Sequence, residues 1–152
     1  MPKISMTGTR RINTLTKQQL TNFKDLMKEY RNKGYTHLNH GDCVGADALA
    51  HDIAIELGLK VIVHPPSNPK SRAYCNGENV LILAEREYKV RNQSLVKNGD
   101  VLLALPDSNQ EYKRSGTWYS VRQARRTMLP IIICYPDGRV VRENIGGLFE
   151  DD

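Results

Sequence analysis

The feature that most constrains this chain is the run HLNHGDCVGADALAHDIAIELGLKVIVHPP at positions 37–66. A strand pattern, a helical pattern and a second strand pattern follow one another within it. The helical part places Ala46, Leu49, Ala50, Ile53, Ala54 and Leu57 on one face and stops at Gly58. That order and length are those of a βαβ unit, in which the crossover helix makes the two strands run parallel. Parallel strands are buried on both faces, so helices must cover the sheet on each side. A plain strand-to-helix connection needs neither two glycines, Gly41 and Gly45, nor two aspartates, Asp42 and Asp47. A loop that brings its backbone against a ligand uses both residue types.

The same alternation continues on either side. KISMTG reads as a first strand. Thr16 and Gln19 form a capping box ahead of Leu20, Phe23, Met27 and Tyr30 at helical spacing, with Gly34 suited to the left-handed position after the last turn. YTHLNH is the second strand and KVIVH the third. Positions 65–79 form a long loop with three prolines, followed by a helix ending near Asn98 and Gly99. DVLLALP is the fourth strand and LPIIICYP the fifth, with a helix over 116–128 between them. The Pro-Asp-Gly turn in YPDGRVV sends a short antiparallel strand back along the sheet edge. The tail GGLFEDD is expected to be loosely held. The expected fold class is therefore α/β. It comprises a Rossmann-like parallel sheet of about five strands, helices on both faces and an antiparallel C-terminal edge strand, in a single domain over 1–152. Ligands of such sheets bind outside the carboxyl ends of the strands. Here those ends fall at 7–11, 40–47, 64–68, 106–117 and Tyr135.

Composition narrows the partners. The apolar runs are too short to cross a bilayer, and the first residues lack an apolar core of signal-peptide length. The three cysteines, Cys43, Cys75 and Cys134, are odd in number and form no CxxC pair. That pattern indicates a reducing, cytoplasmic setting rather than a disulfide framework. A net charge of +5 agrees with an anionic partner, although solvated helix faces account for much of it. Asp47 and His51 lie one helical turn apart and His40 and His64 end adjacent strands, but no recognised metal-ligand spacing is present. Neither a metal nor a cofactor is expected.

Four motifs, TGTRR, GDCVGADALAHDIA, RNQSLV and SGTWYSVRQARR, stand in this order at strand and helix ends. Together they resemble the SLOG superfamily, and more closely its small single-domain branch related to the cpYpsA proteins. GADALAHDIA is also similar to the glycine-rich segment of the DNA-processing protein A family. The resemblance implies a Rossmann-like domain that binds a nucleotide or a nucleotide-derived molecule, as a sensor or a scavenger of a signalling nucleotide. Candidate ligand-binding residues are Thr7, Gly8, Arg10, Gly41, Asp42, Gly45, Asp47, Arg91, Asn92, Ser115, Gly116 and Thr117. Gly41 and Gly45 admit close backbone approach, and the amides opening the next helix favour an anion. Asp42 and Asp47 suit ribose hydroxyls. Ser115, Gly116 and Thr117 form a second anion nest at a helix start. Arg10 and Arg91 are the cations for a phosphate, and Asn92 suits a base or ribose. Trp118 is placed in a base stack, at an interface or in the core. Arg122 and Arg126 share a helix face and are read as solvated or interface residues.

Two alternatives stand beside ligand capture. The resemblance extends to the phosphoribohydrolases of the "lonely guy" family, which implies N-glycosidic hydrolysis of nucleoside monophosphates. In that case Asp47, Glu78 or Glu87 would replace the family's catalytic glutamate, because Ser120 stands at its position. Single-stranded nucleic-acid binding is the other alternative, weakened by an aromatic content of only 7%. The resemblance also implies a homodimer formed through flanking helices, with Tyr88, Trp118 and Tyr119 contributing.

Overall fold

A computed structural model describes residues 1–145; the segment GGLFEDD lies outside the described residues. Seven strands form one sheet in the order β4-β3-β2-β1-β5-β6-β7. They are β1 (Lys3–Gly8), β2 (His37–His40), β3 (Lys60–Val63), β4 (Val80–Ile82), β5 (Val101–Leu105), β6 (Ile131–Cys134) and β7 (Val140–Glu143). All neighbouring pairs are parallel except β6 and β7, where Ile131 faces Glu143 and Cys134 faces Val140 across the Pro-Asp-Gly turn. The helices are α1 (Lys17–Asn32), α2 (Ala46–Glu56), α3 (Tyr88–Lys97) and α4 (Gly116–Arg126).

The elements form where local chemistry directs them. The capping box is in place: the Thr16 hydroxyl accepts from the Gln19 amide at 3.1 Å, and the Gln19 side chain accepts from the Thr16 amide. Gln19 then serves a second purpose. Its buried Nε2 donates to the carbonyls of Pro106 and Cys134, both at 2.8 Å, which ties α1 to the carboxyl ends of β5 and β6. Alternation along the central strands divides the core. Val101, Leu103 and Leu105 join Phe23, Met27, Ala50 and Ala54 under α1 and α2. Leu102 and Ala104 join Ile131, Ile133, Trp118 and Val121 under α3 and α4. Successive strand side chains point to opposite faces, so the unbroken apolar run VLLAL supplies both layers at once.

One strand departs from expectation. The sequence pattern places Val80–Ile82 at the start of the helix that follows the 65–79 loop, yet the segment pairs in parallel with β3 at the sheet edge. It has three residues, and Leu81 and Ile82 stay exposed. A pattern that short and one-sided lacks the periodicity that marks a strand. The order reverses between β1, β2 and β5: the chain leaves β1 toward β2 on one side and later returns to β5 on the other. The crevice above β1 is therefore the topological switch point, where open α/β sheets place their ligands. Among the described residues no helix is long and apolar enough to cross a membrane.

Candidate ligand-binding site

A cavity of about 470 Å³ opens at that switch point. Its wall includes Thr7, Gly8 and Arg10 from the end of β1, Gly41 and Asp47 from the β2–α2 connection, Arg91 and Asn92 from α3, and Ser115, Gly116 and Thr117 from the start of α4. The four sequence motifs thus meet in one place. Gly8 is required by packing, because an added Cβ would strike the Cβ of Ala46 as β1 passes beneath α2. At Gly41 a Cβ would come within 2.6 Å of Arg91 Nη1 and 3.0 Å of Asp47 Oδ2. The cavity floor is therefore bare backbone between a guanidinium and a carboxyl.

Arg91 is 5% exposed and is held by backbone rather than by a carboxylate. Its Nη1 donates to the carbonyls of Gly41 and His64, and its Nε donates to Asn92 Oδ1 at 2.7 Å. Carbonyls at the ends of β2 and β3 fix the guanidinium, but they leave its charge without a carboxylate partner among the described residues. Asp47 accepts from the Cys43 amide at 3.2 Å. Burial pushes its carboxyl up to about 6, with Arg91 and the Cys43 amide opposing the shift. The Cys43 thiol, also on the wall, is pushed up by burial and by Asp47, so it stays protonated.

Three further polar groups face the cavity without protein partners. Thr7, Asn92 and Thr117 are 7%, 7% and 6% exposed. Among the described residues, the hydroxyls of Thr7 and Thr117 and the Nδ2 of Asn92 make no hydrogen bond within the protein, and the three atoms remain open to solvent at the cavity. Ser115 caps α4 by accepting from the Trp118 amide at 3.2 Å. The amides of Gly116 and Thr117 are left directed out of the helix start. Asn92 Nδ2 lies 3.9 Å from where a Cβ of Gly116 would be, so these donors converge.

Two predicted site residues lie outside the cavity wall. Asp42 is fully buried at φ +60°, and its carboxylate is consumed by the 65–79 loop. Arg72 Nε donates to one oxygen at 2.9 Å and the Cys75 amide to the other at 2.8 Å. Its role is to fasten that loop to the end of β2, not to meet a ribose. Gly45 is the N-cap of α2 at φ +91°, where a Cβ would clash with the Thr9 and Arg10 carbonyls at 2.6 and 2.7 Å. The first amide of α2, on Ala46, is spent on the Thr9 carbonyl at 2.9 Å. Gly45 thus seats the Arg10 turn, and the anion-ready helix start is that of α4.

The aromatic residues divide between core and cavity. Of the three places open to Trp118 the structure selects the core: it is fully buried in the layer under α4 beside Tyr135. Tyr88 lines the cavity with the guanidiniums of Arg10 and Arg91 at 4.8 and 5.4 Å from its ring centroid. Arg114, Tyr112 and Asp107 complete the rim. Arg122 is tied to Glu111 at 3.2 Å rather than solvated alone.

His40, His51 and Cys75 lie close enough together to suggest a metal. The hydrogen bonds assign their protons otherwise. His40 Nδ1 accepts from the Asp42 amide at 3.0 Å, so the neutral ring carries its proton on Nε2 and donates it to His51 Nδ1 at 3.0 Å. His51 Nε2 in turn donates to the Asn76 carbonyl at 3.2 Å. A metal on His40 Nε2 would have to displace that proton, and burial pushes the Cys75 thiol up to about 12, away from the thiolate a metal needs. His40 and His51 form a hydrogen-bonded relay from the Asp42 amide to the Asn76 carbonyl, which joins α2 to the loop.

No family model and no curated protein matches the chain. Solved structures do match its fold. The molybdenum cofactor binding protein from Rippkaea orientalis aligns with a TM-score of 0.65 at 23% identity, over 87% of this chain and 75% of that one. The molybdenum cofactor carrier protein from Chlamydomonas reinhardtii aligns with a TM-score of 0.60 at 20% identity, over 87% and 75%. DNA processing protein A from Streptococcus pneumoniae aligns with a TM-score of 0.65 at 17% identity, over 99% of this chain and 52% of that one. At these identities the likeness is one of architecture: the chain shares with these structures a Rossmann-like α/β fold built on a mostly parallel sheet.

Proposed function

We propose that this protein is a single-domain capture module that binds an anionic, nucleotide-type small molecule at the β1 switch point. One observation carries the reading. Thr7, Asn92 and Thr117 are residues more than nine-tenths buried that line one cavity and keep donors without a protein acceptor among the described residues, beside an Arg91 guanidinium that has no carboxylate partner there. These donor atoms stay open to solvent at the cavity, so a ligand that replaces water there meets hydrogen-bond donors already held in place by the fold. The donors are neutral or cationic, which selects an anion. The cavity volume is that of a site for a ligand of mononucleotide size. Two structural neighbours are named as molybdenum cofactor binders, which supports small-molecule capture by this architecture. The three free thiols suit a cytoplasmic setting.

Calorimetry with inorganic phosphate and nucleoside monophosphates tests the reading. Thr117→Val keeps the side-chain shape but removes the hydroxyl, and is expected to weaken binding about tenfold while the fold persists. A nucleotide panel that gives neither heat nor thermal shift would overturn it.

Asp47 favours hydrolysis as the second reading, because a carboxyl titrating near neutrality on the cavity wall has the acid–base character that N-glycosidic cleavage uses. Ser120 weighs against it. Its hydroxyl is buried and donates to the Gly116 carbonyl at 3.2 Å, and neither Glu78 nor Glu87 lines the cavity. Release of free base that disappears in Asp47→Asn would promote this reading. Dimerisation belongs to the proposal through the α3–α4 side, where Val90 is 40% exposed, and sedimentation equilibrium decides it.

A further inference from the structure

The cavity carries more cationic capacity than one anionic group can use. Four arginines line it: Arg10, Arg11, Arg91 and Arg114. Its two aspartates balance only part of that charge: Asp107 accepts from the Tyr112 hydroxyl at 2.7 Å and lies 3.7 Å from Arg11, while Asp47 accepts from the Cys43 amide and stands at salt-bridge distance from no arginine among the described residues. Among the described residues, Arg10, Arg91 and Arg114 have no carboxylate at salt-bridge distance, and two of them share the ring of Tyr88.

The donors also fall into two groups. One comprises Asn92 Nδ2, the Thr117 hydroxyl and the amides of Gly116 and Thr117, which are enough to engage the three terminal oxygens of a single phosphate. The other is the Arg10–Tyr88–Arg91 stack. There Arg91 is anchored to the Gly41 and His64 carbonyls, and Arg10 follows the turn seated by Gly45. Two guanidiniums on one ring repel each other, and desolvation by a ligand strengthens that repulsion unless the ligand supplies negative charge there. We infer that the site is built for a ligand with two anionic groups in succession, such as a diphosphate: the inner group at Asn92, Thr117 and the opening of α4, the outer on Arg10 across Tyr88. This inference rests on the anion-binding reading above and goes beyond it in fixing the number and placement of the charges.

The test is calorimetry on the full chain with inorganic phosphate, inorganic pyrophosphate, and a nucleoside monophosphate and diphosphate of the same base. Each is measured on the wild type and on Arg10→Gln. Pyrophosphate and the diphosphate are expected to bind about tenfold tighter than their single-phosphate counterparts, the contribution of one charge-assisted contact. Arg10→Gln is expected to reduce that ratio to about threefold or less. Arg10 is exposed, so an unchanged melting temperature confirms that the variant is folded. Equal affinity for one and two phosphates, or a ratio untouched by Arg10→Gln, overturns the inference while leaving single-anion binding intact. Absence of binding by all four probes overturns both.

Discussion

Asp42→Asn separates a structural aspartate from a ligand-binding one. The wild-type carboxylate is fully buried and takes a charge-assisted hydrogen bond from Arg72 Nε at 2.9 Å and another from the Cys75 amide at 2.8 Å. Asparagine preserves the backbone, because it tolerates the left-handed φ of +60° and can still accept from the Cys75 amide. What it removes is the charge opposite Arg72, whose side chain is only 13% exposed. Breaking a buried pair by removing one partner costs about 3–5 kcal/mol. Arg72 keeps a second contact to the half-exposed Glu85 at 2.8 Å, which lowers the expectation to about 3 kcal/mol. For a domain of this size that corresponds to a melting temperature lower by about 6–12 °C. Asp42→Ala should cost more, since it also leaves the Cys75 amide without an acceptor and loses tolerance of the left-handed backbone. Urea denaturation of Asp42→Asn, Arg72→Gln and the double variant provides the check, with an expected coupling energy above about 1.5 kcal/mol. Asp42→Asn within about 1 kcal/mol of wild type, combined with weakened nucleotide binding, would refute the reasoning and return Asp42 to the ligand.

Three other outcomes follow from the same geometry. The Asp47 carboxyl is raised from 3.8 to about 6, so its contribution to stability is complete below the unfolded value and is lost as pH rises through about 6. Asp47→Asn should therefore gain about 1–2 kcal/mol on wild type between pH 5 and pH 8, and a gap that does not change with pH refutes this. Burial lowers His40 to about 3 and His64 to about 4 from 6.5, which has the opposite sign: stability is lost as pH falls below 6.5. Each histidine should cost about 2 kcal/mol by pH 5, and His64→Gln should show a correspondingly shallower acid limb in denaturation; an unchanged limb means that His64 titrates normally. Gly45→Ala should destabilise by more than about 2 kcal/mol and displace Arg10, because the new methyl meets the Thr9 and Arg10 carbonyls at 2.6 and 2.7 Å; near-wild-type melting and binding would show that the turn relaxes freely.

The sheet, its parallel sense and its antiparallel edge were legible in the sequence because local patterns encode them. The capping box at Thr16, the period of Ala46 to Leu57, the two-faced run VLLAL and the Pro-Asp-Gly turn each act over a few residues. β4 was not legible, since three residues at an edge carry no period and gain their strand character only by pairing with β3.

The site shows the same division. Ten of the twelve candidate residues line the cavity, because the strand ends of a parallel sheet converge at the switch point. What those side chains do once there depends on neighbours far along the chain. Asp42 has the composition of a ribose ligand, but Arg72 and Cys75 claim its oxygens. The sequence leaves Trp118 open between a base stack, an interface and the core, and α4 turns it into the core, while Tyr88 faces the cavity beside Arg10. Sequence alone determined the architecture and the place of the crevice, because periodicity and capping are local. Only the tertiary structure decided which polar groups are spent within the protein and which remain unpaired, because that balance is struck between residues such as Gly41 and Arg91 that meet only when the sheet is assembled.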